Sequence, residues 1–576
     1  AVDDPDVGVG HLSVISPEET AHLTRISTGD HRTWDAGLIH ETITEQARRT
    51  PTAEAARFNT TSLTYAELDQ NANQLAHRLQ QLGATPDTII GVYLERSLDL
   101  ITTLLAILKS GAAYLPLDLE HPTARLDYIL TDAQTPIIIT DHTLAPTLPP
   151  TTATLIYVDD PDWTTHPTYT PTTTTNSTHA AYVIYTSGST GTPKGVINTH
   201  AGIRNRLHWM QDHFHLDPTD RVLQKTPYTF DVSVWEFFWP LMTGATLVLA
   251  TPKAHRDPTY IATTIHREHI TTIHFVPSML NAFLTTDTTS CTSLRRVICS
   301  GEALPTDLAN RFYTHQLPAT LHNLYGPTEA AIDVTYWDCP PATTGPTPIG
   351  RPITNTRIHI LDNHLNPVPQ GVPGELCIAG DNLARGYLNR PDLTTQRFTT
   401  IPTTQEPIYR TGDLARFRPD GAIDYLGRLD TQVKIRGFRI ELAEIEQTIL
   451  QHPGIDTATV TTTTDLTTHD THLTAYLTGP DIPTAAALTT NLKNHLPQYM
   501  VPTTYITLDH LPLTPNGKID HTRLPQPQPT RPDLTTPYAP PRTPTETTIT
   551  TIYANLLHID RIGIHDNFFD LGGHSL

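Results

Sequence analysis

The sequence predicts an α/β protein with a large, multi-layer N-terminal subdomain and a smaller α+β C-terminal subdomain. Short apolar runs at 89–94, 137–139 and 180–184 alternate with segments of helical spacing, a pattern typical of largely parallel sheets that are covered on both faces. From Leu376 onward the predicted strands are short and separated by turns, which indicates a small β-rich layer. A chain of 576 residues is long enough for several such domains.

Three helices are predicted to begin at capping sequences. Ser16 is followed by a proline at the first helical position and by Glu19, a combination that stabilises a helix N-terminus. Thr64 and Glu67 form a second capping box, and the helix after it is expected to end near Gly83. The last predicted helix is capped within 543–546, and its apolar face consists of Ile549, Ile552, Tyr553, Leu556 and Leu557.

Changes in composition along the chain predict the domain boundaries. Residues 1–37 are predicted to be an upstream tail or linker, and residues 38–429 the large N-terminal subdomain. The smaller C-terminal subdomain is predicted at 430–527. Residues 528–542, rich in proline and threonine, are predicted to be a linker. Residues 543–576 are predicted to begin a further, incomplete domain, because a single helix cannot bury its own apolar face.

Composition excludes several classes of function. The formal net charge of −21 argues against a nucleic-acid partner or an anionic membrane surface. The four cysteines lack Cys-x-x-Cys spacing, so neither a zinc site nor a disulfide framework is predicted. The N-terminus lacks a basic, apolar leader, and the apolar stretch at 98–108 is too short and polar to span a bilayer. We therefore expect a soluble cytoplasmic protein.

The stretch 185–195 is the strongest candidate for a nucleotide site. Glycines and small hydroxyl residues follow an apolar strand, and Lys194 closes the stretch. Backbone N–H groups, hydroxyls and an ammonium are the donors that a polyphosphate requires. A Ser/Thr/Gly surface loop has the same composition, but the lysine favours nucleotide binding. The order Pro193-Lys194-Gly195 excludes a Walker A loop, which has glycine before the lysine and Ser/Thr after it.

Further motifs follow this loop or precede it in a fixed order. They are Leu63–Leu68, Leu108–Asp118, Phe230–Ser233, Asn323–Glu329, Gly374–Leu376, Ala384–Leu388, Tyr409–Leu414, Gly427–Gly437, Leu496–Pro502 and Asn516–Asp520. Each is weak alone, but their common order is not a chance event. From Leu38 to the C-terminus the chain resembles the adenylation domain of nonribosomal peptide synthetases, in the acyl-adenylate-forming superfamily, followed by the start of a helical peptidyl carrier domain. Asn382, Ala443 and His521 depart from the family pattern.

The resemblance implies that an amino-acid carboxylate attacks the α-phosphorus of ATP, giving aminoacyl-AMP and pyrophosphate. Such a reaction depends mainly on positioning and charge neutralisation. The implied catalytic residues are Thr186, Glu329, Arg428 and Lys518, with Glu329 also holding Mg²⁺. The implied ATP-binding residues are Thr186, Ser187, Gly188, Ser189, Thr190, Gly191, Lys194, Asn323, Tyr325, Gly326, Thr328, Asp413 and Arg428.

Individual roles follow from the same resemblance. The loop from Thr186 to Lys194 would hold the β- and γ-phosphates, and Tyr325 would stack on adenine while Asn323 bonds its amino group. Asp413 would accept both ribose hydroxyls with help from Arg428. Lys518 would bridge the substrate carboxylate and the nucleotide. Taken alone, Lys518 could equally be a solvated lysine in an Asn-Gly turn.

The family's substrate pocket corresponds to a defined residue set in this sequence. It consists of Asp231, Val232, Trp235, His274, Ile298, Ser300, Leu324, Ile332, Asp333 and Lys518. Asp231 would pair with the α-ammonium, and the apolar members leave little volume. His274, Ser300 and Asp333 would bind a hydroxyl, so the pattern resembles the serine-selecting type. A core pair between His274 and Asp333 is the alternative reading of these two residues.

The resemblance also implies a second half-reaction and several partners. Ser575 would carry 4′-phosphopantetheine, whose thiol accepts the aminoacyl group from the adenylate. Asp430 resembles the hinge about which the smaller subdomain rotates between the two half-reactions. The implied partners are the carrier domain in cis and an upstream condensation domain, and an MbtH-like protein is a further candidate. The product would be an antibiotic or a siderophore.

Three other functions share some of these sequence features. An acyl- or aryl-CoA ligase shares the loop and the late lysine, but Asp231 and the carrier segment argue against it. A P-loop phosphotransferase or nucleotide switch is rejected by the Pro193-Lys194-Gly195 order. A catalytically silent scaffold is disfavoured because Glu329, Asp413, Arg428 and Lys518 are all retained.

Overall fold

The computed structural model describes residues 15–34, 37–188, 191–464, 471–514, 518–526, 531, 534, 536–557, 559–568, 571 and 573. The chain forms two compact units. The larger one takes its residues from 1–119, 129–186 and 194–430, and the smaller one from 120–128, 187–193 and 431–576. The predicted fold class is confirmed: the model is a mixed α/β structure with a large N-terminal and a smaller C-terminal subdomain. The domain boundaries predicted from the sequence stay predictions.

One sheet of the larger unit carries three of the predicted pocket residues, His274, Ile298 and Leu324, on its strands. Its strands in spatial order are Arg351–Pro352, Thr335–Cys339, Thr320–Tyr325, Arg296–Cys299, Thr272–Phe275, Arg221–Gln224, Thr246–Leu249, Glu54–Phe58 and Thr61–Thr64. The central strands pair in parallel, and antiparallel strands lie at both edges. Ligands of such α/β sheets bind beyond the carboxyl ends of the parallel strands.

A second sheet of the larger unit holds the strands on either side of the predicted phosphate loop. Its spatial order is Gly386–Tyr387, Lys194–Thr199, Ala180–Thr186, Ala113–Pro116, Ile89–Val92, Ile137–Thr140 and Thr154–Tyr157. The last five strands of that order pair in parallel, whereas Ala180–Thr186 and Lys194–Thr199 are antiparallel. The phosphate loop is therefore a hairpin connection rather than a strand-to-helix turn.

The predicted β-rich layer is a third sheet. Thr356–Leu361, Gly374–Gly380, Pro407–Phe417 and Phe398–Thr400 are neighbours in that order, and Ile423–Arg428 also pairs with Pro407–Phe417. All these pairings are antiparallel. The layer positions Asp413 and Arg428 opposite each other in one ladder.

Helices cover the sheets of the larger unit. They are Pro17–Ser27, Ile39–Arg49, Tyr65–Gln81, Leu98–Ser110, His200–Phe214, Val232–Thr243, Pro258–Glu268, Pro277–Phe283, Thr306–Thr314 and Pro391–Arg397. Ser16 and Thr64 cap their helices as predicted, each accepting a backbone N–H three residues on. The helix Leu98–Ser110 is almost wholly buried. Leu23 packs into the core of the β-rich layer, so the described part of the first 34 residues belongs to the larger unit.

The smaller unit contains two small sheets and short helices. The strands Val433–Ile435 and Phe438–Ile440 form a hairpin, and Thr457–Thr464, Thr471–Thr478 and Thr504–Thr507 form the other sheet. Its helices include Leu442–Leu450, Ala485–Lys493 and Pro544–Leu557, while Thr123–Ala133 begins in this unit and ends in the larger one. In Pro544–Leu557 the predicted apolar face is exposed at Ile549, Ile552 and Leu556.

The four cysteines are buried and free. Burial raises the pKa of the Cys291 thiol to about 11 and that of Cys339 to about 12, and it raises the pKa values of Cys299 and Cys377 as well. Among the described helices, none has the length and apolarity that a bilayer-spanning segment requires.

Candidate functional site

Lys194 lies in a buried cluster of the larger unit. It pairs with Thr186 in the antiparallel ladder, and its ammonium is 3.5 Å from Glu329 Oε1 and 4.6 Å from the centre of the Tyr387 ring. The Tyr387 hydroxyl donates to the same Glu329 oxygen at 2.8 Å. Thr186 Oγ1 is buried without a hydrogen-bond partner among the described residues. Two predicted ATP-binding residues, Thr186 and Lys194, thus lie beside the predicted Mg²⁺ ligand Glu329, with the Thr186 hydroxyl left as an unused donor.

The phosphate loop itself belongs to the smaller unit. There Gly188 N–H donates to Glu444 Oε2 at 3.2 Å, and Ser187 Oγ donates to the Arg439 carbonyl at 2.7 Å. Arg125 Nη1 donates to the other Glu444 oxygen at 2.6 Å. A loop N–H that the sequence predicts to bind phosphate is therefore bonded to a buried carboxylate. Ser189 and Thr190 lie outside the described residues.

The predicted ribose and adenine residues contact one another directly. The Tyr325 hydroxyl and Arg428 Nη1 donate to the two oxygens of the buried Asp413 carboxylate. Arg428 also donates to both Asp430 oxygens, at 2.6 and 2.8 Å. Burial, followed by the charge of Asp413, raises the pKa of Tyr325 well above its usual value, so the phenol remains a donor. Both Asp413 oxygens, expected to bind ribose, already accept hydrogen bonds from the protein.

The segment around Tyr325 is closely packed. Asn323 is buried, and its Nδ2 donates to the Pro348 carbonyl at 2.9 Å. A Cβ on Gly326 would lie 2.4 Å from the Ile332 carbonyl oxygen, so only glycine fits there. The Thr328 side chain hydrogen-bonds Asp231, and this bond joins the predicted nucleotide motif to the predicted pocket.

Two carboxylates, Asp231 and Asp333, lie close together in the predicted pocket. Burial, reinforced by the nearby charge of Asp333, raises the pKa of Asp231 to about 7. Arg206 Nη2 donates to Asp333 Oδ2 at 2.7 Å, and both side chains are buried. The Tyr182 hydroxyl is buried without a partner among the described residues. Burial raises the pKa of this phenol, and the charges of Asp231 and Asp333 add to the rise. This end of the pocket therefore has one compensated carboxylate and one that titrates near neutrality.

The polar floor of the pocket is centred on His274. Its Nε2 is 3.0 Å from Ser300 Oγ, and its Nδ1 is 3.4 Å from Thr226 Oγ1. Burial and the charge of Lys225 lower the pKa of His274 well below its usual value, so the imidazole is neutral. His274 and Asp333 thus have different hydrogen-bond partners, in contrast to the alternative of a core pair between them.

The remaining residues of the predicted pocket are apolar, apart from Lys518. Val232, Trp235, Ile298, Leu324 and Ile332 are all buried. The Trp235 ring meets His274 edge to face, with centroids 6.1 Å apart. Its indole N–H has no hydrogen-bond partner within the part of the chain that the structure describes. Val232 and Trp235 lie at the start of the helix Val232–Thr243, Ile298 and Leu324 lie on strands, and Ile332 lies in the segment before the strand Thr335–Cys339.

Two predicted site residues stand apart from these clusters. Lys518 belongs to the smaller unit, where its side chain is exposed and its backbone forms a turn with Thr514. Ser575 lies outside the described residues. The structure therefore provides no side-chain contact for either predicted role.

Sequence reasoning missed several residues that contact the site. Tyr387 lies inside the motif Ala384–Leu388, and Glu236 is the only charged residue in the apolar run 232–242, so both could have been noticed. Arg206, Tyr182 and Thr226 gave no comparable signal, because their roles depend on packing between distant segments.

Comparison with known proteins places the chain in a family. Residues 43–388 match the model described as AMP-binding enzyme, and residues 444–518 match that of the AMP-binding enzyme C-terminal domain. The chain is 46% identical over 558 residues to phosphinothricin tripeptide synthetase PhsB of Streptomyces viridochromogenes, covering 94% of this chain and 46% of the relative. It spans less than half the length of the first curated relatives that it matches.

Two solved structures share the fold. One is holo-PA1221, a nonribosomal peptide synthetase protein with adenylation and PCP domains, at a TM-score of 0.78 and 26% identity over 94% of this chain and 90% of that one. The other is FmoA3 bound to α-methyl-L-serine-AMP, at a TM-score of 0.70 and 29% identity over 90% and 53%.

The buried Arg206–Asp333 pair leads to a stability prediction. Arg206→Met keeps most of the packing volume but leaves Asp333 uncompensated, so we expect it to lower the free energy of unfolding by about 3–5 kcal/mol. Denaturant unfolding followed by fluorescence measures the loss. Arg295→Met is the matched control, since this arginine is half exposed beside Asp220 and its removal should cost about 0–1 kcal/mol. Equal losses in the two variants would contradict the prediction.

Proposed function

We propose a reaction for this chain from one premise: the chain belongs to the AMP-binding enzyme family and is an adenylation domain of the nonribosomal peptide synthetase type. In this proposal it uses ATP to convert an amino acid, L-serine, into aminoacyl-AMP and pyrophosphate. It then passes the aminoacyl group to the phosphopantetheine thiol of a carrier domain.

One observation supports this proposal above others. Among the residues of the predicted pocket, Asp231 is a buried carboxylate and His274 and Ser300 form a buried hydrogen-bonded pair. The carboxylate suits an α-ammonium, and the polar pair suits a small side chain with a hydroxyl. A pocket that commits buried polar groups to a hydroxyl rejects an analogue without one, because the groups would be left unpaired. FmoA3, which shares the fold, binds α-methyl-L-serine-AMP, and this supports the choice of serine.

The proposed ATP-site and substrate-site residues would act mainly by neutralising charge. Lys194 offers its ammonium to phosphate oxygens, Asp413 accepts ribose hydroxyls, and Lys518 pairs with the substrate carboxylate. Mg²⁺ is usually bound by one or two carboxylates plus substrate phosphates, and a single buried carboxylate such as Glu329 fits that pattern, although the described residues contain no cluster of three or more His, Cys, Asp or Glu ligands. When bound, the ion would neutralise phosphate charge.

The second half-reaction belongs to the same proposal. Ser575 is the attachment point for phosphopantetheine, within a carrier domain in cis, and Asp430 is the hinge. An upstream condensation domain and an MbtH-like protein are the further partners proposed. The acyl- or aryl-CoA ligase alternative is not favoured, because an acid without an ammonium would leave Asp231 buried and unpaired.

Amino-acid-dependent pyrophosphate exchange tests the substrate. With a panel of the common amino acids, we expect L-serine to give the highest kcat/KM. L-alanine should be slower by about 100-fold or more, since it leaves the polar floor unpaired. Threonine should be rejected less strongly, because only its extra methyl excludes it. A clear preference for any other amino acid would overturn the choice of serine.

Lys518→Ala tests the proposed late lysine. Its side chain is exposed, so we expect the thermal midpoint to stay unchanged while serine-dependent exchange falls by about 100-fold or more, as expected when a transition-state charge partner is lost. ATP binding measured by calorimetry should change little. Lys493→Ala, on a helix of the same unit, is the control. Near-normal exchange by Lys518→Ala would remove this residue from the mechanism.

The pKa of Asp231 predicts a pH profile. Only the ionised carboxylate pairs with an ammonium, so kcat/KM for the amino acid should rise as pH increases through about 7. Asp333→Asn removes a charge that raises this pKa, and should move the inflection to lower pH. Asp338→Asn, at a half-exposed site on a neighbouring strand, should leave it in place. An inflection that is insensitive to Asp333→Asn would assign the titration to another group.

A further inference from the structure

A chain of hydrogen bonds runs behind the pocket from Ser300 to Glu236. Ser300 Oγ is 3.0 Å from His274 Nε2, His274 Nδ1 is 3.4 Å from Thr226 Oγ1, and Thr226 Oγ1 is 2.8 Å from Glu236 Oε1. All four residues are buried. Such a chain fixes the direction of every proton in it, provided that one end can only accept.

Glu236 is the accepting end. Its Oε2 receives the backbone N–H groups of Thr226 and Lys225 at 3.0 and 3.3 Å, and the Gln224 amide at 3.0 Å. Burial raises the pKa of Glu236, and the charges of Lys225 and Arg96 oppose that rise. The three N–H donors at Oε2 hold the side chain as an acceptor. Glu236 Oε1 must therefore accept the Thr226 hydroxyl proton.

The positions of the protons on Thr226, His274 and Ser300 follow from the accepting role of Glu236. Because Thr226 Oγ1 gives its proton to Glu236, its lone pairs can only accept from His274 Nδ1–H. A neutral imidazole has a single N–H, so His274 Nε2 is an acceptor. Ser300 must then donate its hydroxyl proton to Nε2, and its oxygen is left with lone pairs alone.

We infer that Glu236 and Thr226 are positioning residues that fix the tautomer of His274 and so make Ser300 Oγ an acceptor for the substrate side chain. This inference rests on the proposed function and deepens it. The pocket selects a side chain that donates a hydrogen bond, and small size alone does not satisfy it. Asp333, held by Arg206, is a further buried acceptor of the predicted pocket.

A matched pair of substrates separates donation from size. L-Serine and 3-fluoro-L-alanine are similar in volume, but only serine has a proton to donate. For the wild-type protein we expect kcat/KM in pyrophosphate exchange to favour serine over 3-fluoro-L-alanine by about 100-fold or more. A ratio below about fivefold, in a protein that prefers serine in the panel, would overturn the inference and leave the proposed function intact.

Glu236→Gln is expected to reverse the direction of the hydrogen bonds from residue 236 to Ser300, with little change in side-chain shape. The three donors at Oε2 hold the amide oxygen there, so the amide NH₂ faces Thr226 and turns its hydroxyl toward His274 Nδ1. His274 then carries its proton on Nε2, and Ser300 directs its own proton away. We expect the ratio of serine to 3-fluoro-L-alanine to fall by about tenfold or more, through a higher KM for serine, with the KM for ATP unchanged.

Thr226 provides the second test and its own rescue. Thr226→Val removes the link and should reduce the ratio similarly, whereas Thr226→Ser restores the hydroxyl and should restore the ratio. Thr103→Val is the control, since this buried hydroxyl has no partner among the described residues.

The results distinguish two roles for Glu236 and Thr226: positioning the His274 tautomer and supporting the fold. If the variants lose equal amounts of kcat/KM for both substrates, and Thr226→Ser does not restore the ratio, then Glu236 and Thr226 only support the fold. If Thr226→Val does not fold, Glu236→Gln and Thr226→Ser decide by the same ratio. A wild-type preference for another amino acid overturns the proposed function and, with it, this selection role.

Discussion

The buried ion pair between Arg206 and Asp333 is the interaction on which the pocket depends. Two carboxylates in one buried space disfavour each other's ionisation, and Asp231 already has a pKa of about 7. Arg206, 2.7 Å from Asp333, compensates one of the two charges from within the protein. Asp231 is then the group whose charge a substrate can complete. The two carboxylates therefore differ before any ligand binds, because Asp333 is paired with Arg206 and Asp231 has the raised pKa.

Two other buried carboxylates of the larger unit are also paired with a cation of the protein. Lys194 with Glu329, and Asp413 with Arg428, are oppositely charged partners inside buried clusters. Charges that are proposed to meet a polyanion or a ribose are therefore paired with each other in the free protein. A bound ligand would replace one partner of such a pair, so binding would avoid the free-energy cost of desolvating isolated ions.

Much of the fold could be predicted from local sequence, whereas the contacts within the site could not. The helix Leu98–Ser110 ends at Gly111 because this residue adopts a φ of 98°, a requirement that the sequence already indicates. Strand alternation likewise predicted the α/β class. Arg206 contributes through its contact with Asp333, which is 127 positions away in the sequence. Thr226 contributes through its contact with Glu236, which is 10 positions away. No periodicity or motif in one segment records which side chain of another segment will meet it.

The four buried thiols have a consequence for the chemistry proposed here. An acyl adenylate is an electrophile that any accessible thiolate can intercept, and thiolates rather than thiols are the nucleophiles. The cysteines are buried and their pKa values are raised by burial, so at neutral pH they remain protonated and shielded from solvent. In the proposed reaction, this protection would keep the protein from acylating itself and would preserve the acyl adenylate for a thiol delivered from outside its core.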